Sequence, residues 1–122
     1  MNDEISWHVE LALSPQRSAD FISLTKDMIE STKLEDGVLA YERFINDDRT
    51  KILVYERYMN SESAIKHLRA FHEKFGNTFA KLVKRENFFV FGYPNTELRE
   101  ILSNLGAEFL NPLGGFSKFT EE

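Results

Sequence analysis

No cysteine occurs among the 122 residues, so a disulfide framework, a thiolate nucleophile and an iron–sulfur site are all excluded. Glycine (6) and proline (3) are scarce, and no linker or low-complexity tract divides the chain. Nowhere do about 18 apolar residues run together, and Met1-Asn2-Asp3-Glu4 is acidic with no apolar stretch behind it. The expectation is a cytoplasmic protein with no membrane partner. Basic residues number 15 against 20 acidic, for a net charge of -5, and they are scattered rather than gathered into a stripe. Nucleic acid is thereby excluded as a partner, because phosphate binding needs a basic footprint.

What is present is apolar and aromatic: 42% of residues are hydrophobic and 13% aromatic, with eleven phenylalanines. That excludes disorder and fits one domain over residues 1–122. So small a domain has a limited interior, so this many rings point to a ligand pocket or a subunit interface as well as a core.

Ile5, Trp7, Val9, Leu11 and Leu13 alternate with polar or small residues, the period of a strand. Ser14-Pro15 supplies an N-cap and an N1 proline for a helix carrying Phe21, Leu24, Met28 and Ile29, which ends in the polar stretch before Gly37. Residues 38–46 and 51–59 form a hairpin around Asn46-Asp47-Asp48-Arg49. Ser61 caps a second helix through Ala64, Leu68, Phe71 and Phe75, Gly76 interrupts it, and Phe88 to Tyr93 is a fourth strand. The order is β-α-β-β-α-β, a ferredoxin-like α+β fold with an antiparallel sheet over residues 5–93. In the extension 94–122, Thr96 caps a third helix through Leu98, Ile101, Leu102 and Leu105. Residues 107–110 make a short strand, and an apolar tail with Leu113, Phe116 and Phe119 is expected to pack against a dimer, beside a ligand pocket or across the subunit boundary. Several strands are apolar on both faces, and two helices cover only one face of such a sheet. A second protomer is the simplest cover for the other.

Among residues able to carry chemistry, His67 lies three after Ala64 and four before Phe71, on or beside the buried helix face, where a neutral imidazole could reach a pocket. His72 follows five later, about 140° around the helix, a poor spacing for a shared metal. No metal site is expected. Glu56, in a strand, needs a partner if buried; a cross-strand ion pair with Arg43 or Arg57 is preferred to an orienting role. Trp7 reads as core or dimer packing, and His8 as the polar side of the first strand.

Glu56 two residues before Tyr58 at a strand end, followed by His67 and His72, is similar to the antibiotic biosynthesis monooxygenase family, which includes quinol monooxygenases. Those members typically show Glu-x-Trp, an acidic turn and two helical histidines; Tyr58 stands at the tryptophan position here. Glu35-Asp36-Gly37-Val38-Leu39-Ala40-Tyr41 resembles the family's Glu-Pro-Gly and Tyr segment, with Asp36 in place of proline. The resemblance implies a homodimer whose sheets pack face to face as an α/β barrel. It implies oxidation of a phenol- or quinol-like small aromatic by molecular oxygen without a bound cofactor. His67 would be the base, Tyr41 and Tyr58 substrate-binding donors, Phe71, Phe75 and Phe79 walls, and Glu56 and His72 orienting groups. Rival readings are a non-catalytic dimeric module for a small apolar metabolite and an isomerase of a hydroxy-carbonyl metabolite. Haem degradation fits less well, for want of the tryptophan at Tyr58-Met59.

Overall fold

The structure is a computed structural model describing residues 3–118. β1 (Ile5–Leu13) leads through a 3₁₀ turn at Pro15–Arg17 into α1 (Ser18–Thr32). There follow β2 (Val38–Ile45), β3 (Lys51–Tyr58), α2 (Ser61–Leu82), β4 (Val83–Phe91), α3 (Thr96–Asn104) and β5 (Glu108–Leu110). The expected β-α-β-β-α-β order is present. The five strands lie in the order β2-β3-β1-β4-β5. β1 pairs antiparallel with both β3 and β4, β2 antiparallel with β3, and β5 parallel to β4, so the sheet is mixed rather than purely antiparallel. Among the described residues, no helix is long and apolar enough to cross a membrane.

β1 is the spine of the core. Its odd positions, Ile5 to Leu13, are all buried beneath the helices, as its period-two pattern requires. From α1, Phe21, Leu24 and Met28 are buried, and from α3, Leu98 and Leu102. At roughly 1.5–3 kcal/mol for each large apolar side chain, the two α3 leucines alone hold the third helix to the domain.

Local chemistry moves several expected boundaries. Asn60, not Ser61, caps α2, accepting from the Ser63 N–H at 2.8 Å. Ser61 Oγ instead accepts from the Asn95 N–H at 3.0 Å, tying the starts of α2 and α3 together. Asn95, rather than Thr96, caps α3 through the Leu98 N–H at 2.9 Å. Ser14 makes no cap bond to the backbone; Pro15 starts a 3₁₀ turn, and α1 begins only at Ser18.

Gly76 does not interrupt α2, which runs unbroken to Leu82. An interior glycine costs roughly 1 kcal/mol, which the packing of Phe79 on Phe21 (6.0 Å) and Phe71 (5.1 Å) offsets. A methyl group at Gly76 would sit 3.2 Å from His72 Nδ1, so the glycine also makes room for that ring. β4 begins at Val83, five residues earlier than expected, and ends at Phe91 rather than Tyr93. Its first half is charged and has no strand pattern of its own; pairing with β1 imposes the conformation.

The sheet face away from the helices stays open in the single chain. Leu39, Phe44 and Leu53 are exposed there, and His8 sits edge-on between Tyr55 (5.2 Å) and Phe91 (5.1 Å). The tail does not fold onto its own domain: residues 111–118 are exposed, with Leu113 at 104% and Phe116 at 87%. Phe119 lies outside the described residues.

Candidate functional site

Glu56 sits on the inner face of β3 opposite Trp7 of β1 and Tyr41 of β2. It is buried, so its charge needs donors. Oε1 accepts from Trp7 Nε1 at 3.0 Å and from the Tyr58 hydroxyl at 2.5 Å, while Oε2 accepts from Arg43 Nη2 at 2.5 Å. Of the two arginines the sequence offered, the geometry selects Arg43. Arg57 turns to the other face and pairs with Glu4. Burial acts to raise the Glu56 pKa. The Arg43 guanidinium, His67 and the hydrogen bonds from Tyr58 and Arg43 outweigh it and hold the carboxyl below the ordinary range.

His67 of α2 is buried beside this pair. Its Nδ1 is 3.1 Å from Glu35 Oε1, and its Nε2 is 3.8 Å from Glu56 Oε1, beyond hydrogen-bonding reach. Glu35 comes from the turn after α1 and fixes the imidazole from outside, a contact legible in the sequence only as part of a family-like turn. Gly37 lets that turn approach α2: a methyl there would lie 2.0 Å from Ser63 Oγ. Tyr41 and Tyr58 flank the imidazole, each with a ring centroid 5.4 Å away.

Arg43 lies over the Tyr41 ring at 3.5 Å from its centroid. Arg43 Nε and Nη1 are buried without hydrogen-bond partners, and Thr32 is the side chain nearest to partnering the Tyr41 hydroxyl. Burial, with the charges of Glu56 and Glu35 adding to it, pushes the Tyr41 phenol up to about 12 against the lowering effect of Arg43. Burial and the Glu56 charge push Tyr58 up as well. Both phenols are therefore held protonated at any physiological pH.

A cavity of about 1020 Å³ opens between the sheet and α2, with α3 along one side. That is at the upper end for a small-molecule pocket. Glu56, His67, Trp7 and Arg43 stand on its wall together with Phe71, Phe79 and Phe88, and His72 lines it from an exposed position. Tyr58, Tyr41 and Phe75 do not line it. Tyr58 is instead spent on Glu56, and Phe75 lies outside, its ring tilted against Phe71 at 6.4 Å. Trp7, read from the sequence as packing alone, is both wall and donor.

A family model for antibiotic biosynthesis monooxygenases matches residues 5–85. The chain belongs to the antibiotic biosynthesis monooxygenase family. Solved structures share its fold. MupZ from Pseudomonas fluorescens superposes with a TM-score of 0.86 at 22% identity, over 97% of this chain and 91% of that one. Rv0793 from Mycobacterium tuberculosis gives a TM-score of 0.64 at 19% identity, covering 75% of this chain and 96% of its own. A protein from Nitrosomonas europaea named as a candidate antibiotic biosynthesis monooxygenase gives 0.64 at 18% identity, over 79% and 93%. No curated protein sequence matches the chain. Tyr58 and Trp7 donate to the same acceptor, Glu56 Oε1.

Glu56→Gln tests the ionised carboxylate. The variant leaves Arg43 buried without its counter-ion, at a cost of about 3–5 kcal/mol by urea denaturation at neutral pH. Because the Glu56 pKa is depressed on folding, its stabilisation is full above the unfolded value, near 4.3, and is lost as pH falls through the lower folded value. The variant should therefore lose stability less steeply than the parent below about pH 4. A change under about 0.5 kcal/mol would show that the pair is not buried in solution.

Proposed function

We propose that the protein is a small oxygenase that oxidises a phenol- or quinol-like aromatic in the cavity, using molecular oxygen and no bound cofactor. The observation that carries this reading is His67 buried on an aromatic cavity wall, with one ring nitrogen held by Glu35 and the other near the Glu56 carboxylate. With its Nδ1 proton donated to Glu35, the imidazole offers Nε2 as a base for the substrate hydroxyl. The imidazolium formed lies between two carboxylates, which stabilise it. Glu35 and Glu56 are thus positioning residues, with Trp7, Tyr58 and Arg43 fixing Glu56 in turn.

The substrate anion then gives an electron to oxygen. Recombination forms a carbon–oxygen bond, and loss of water from the peroxide leaves a carbonyl. For a quinol, the products are a hydroxyquinone and water; the substrate's own hydrogens supply the electrons, and one oxygen atom stays in the product. The rings of Phe71, Phe79 and Trp7 keep the anion and the peroxide away from bulk water.

Oxygen uptake by the purified protein across a panel of quinols and phenols, with anaerobic controls, tests the reading. His67→Ala should lower kcat/KM by roughly 10²–10⁴ with little loss of stability, and His72→Ala by far less. Uptake no faster than without protein, or equal losses in both variants, contradicts it.

A homodimer is part of the same proposal. Its support is the open sheet face bearing Leu39, Phe44 and Leu53, with the exposed Leu113 and Phe116 of the tail as further surface for a partner. Sedimentation at micromolar concentration should give a dimer, and Phe44→Glu a monomer. A stable parent monomer contradicts it.

A further inference from the structure

β4 changes phase midway. Phe88 and Val90, opposite Val9 and Trp7, face the helices. Continued at period two, that face would next carry Glu86 and aim an acid into the cavity. Instead the register slips between Glu10 and Leu11: Asn87 pairs with Glu10 and Arg85 with Leu11. Glu86 is the extra, bulged residue. Arg85 and Val83 line the cavity and Glu86 does not. The bulge therefore sets the sign of charge at this end of the cavity.

Arg85 is tethered there by its Nε, which donates to the Leu105 carbonyl at the end of α3 at 3.1 Å. Among the described residues no carboxylate pairs with it. The other arginines on the wall are neutralised, Arg43 by Glu56 and Arg69 by Glu97. The lining also carries one exposed acid, Glu73, which works against an anion.

The register gives the span. Trp7 lies opposite Glu56 and Leu11 opposite Arg85, four residues apart along β1, which is roughly 13 Å at the rise of a strand. Between these ends the sheet contributes an apolar wall of Val9, Val54 and Phe88, and α2 adds Leu68 and Phe79 beside the polar His72, Glu73 and Asn77. We propose that the cavity takes an elongated acid, with a hydroxylated aromatic head at His67, an apolar chain of roughly six or seven atoms in the length the ring leaves free, and a carboxylate held by the two outer nitrogens of Arg85. Placing the head rests on the proposed role of His67; the Arg85 subsite does not.

Trp7 is the only tryptophan and stands on the cavity wall, so its fluorescence reports binding without turnover. The probes are a para-hydroxyphenyl-octanoic acid, its methyl ester, and para-hydroxyphenylacetic acid, titrated without oxygen. The long acid should bind about tenfold more tightly than its ester. Arg85→Gln should abolish that preference while leaving the ester unchanged, Arg85→Lys should keep part of it, and Glu73→Gln should strengthen it. The short acid should be indifferent to Arg85→Gln. Equal binding of acid and ester to the parent protein, equal weakening of both by Arg85→Gln, or binding of neither long probe overturns the proposal. Failure of every probe to consume oxygen would overturn the oxygenase reading alone.

Discussion

A carboxylate buried inside a sheet must be given donors, or it gives up its charge, and Glu56 takes them from three strands. Trp7 reaches it along β1, Arg43 along β2 and Tyr58 from two residues further along β3. His67 of α2 stands 3.8 Å away. A one-residue slip of any of these strands would turn its contribution to the opposite face and strand the charge. The polar cluster thus fixes the registry of the central strands and, with it, where α2 rests. It also gathers Glu56, Arg43 and His67 at one end of the cavity, apart from Arg85 at the other.

The strongest local patterns carried most of the fold. β1 alternates without exception, so its faces could be read directly, and the apolar spacing of α2 put His67 on the inner side. Where the expectations failed, a competing interaction, local or tertiary, outweighed the signal read. Gly76 looked like a break, but Phe79 packs on both Phe21 and Phe71 and holds the helix through it. Ser61 looked like a cap, but Asn60 competes better and frees the Ser61 hydroxyl for Asn95. The first half of β4 hid because its bulge breaks the alternation that reveals strands.

The site was half legible. Helical spacing drew attention to His67, Phe71 and Phe79, and all three line the cavity. That Glu56 would pair with Arg43 or Arg57 followed from the cost of burying a lone carboxylate; only the structure selects Arg43. Hydrogen-bond directions have no sequence pattern, so Tyr58 as a donor to Glu56, Trp7 as another, and Glu35 behind His67 came only with the structure. The match to MupZ covers 97% of the chain, more than residues 5–93 could supply, so the shared fold reaches into α3 and β5. In this chain that extension completes the cavity, through Ile101, Leu105 and the carbonyl that anchors Arg85.

The single tryptophan gives direct access to Glu56, because its indole N–H is bonded to that carboxylate. Following the one indole ¹⁵N–¹H resonance of Trp7 through an acid titration reads the ionisation of the hub in the folded protein. An ionised, buried Glu56 requires an indole proton protected from exchange at neutral pH and an inflection below the ordinary glutamate value of about 4.3. A rapidly exchanging indole proton, or an inflection at or above that value, would contradict the central role given to Glu56.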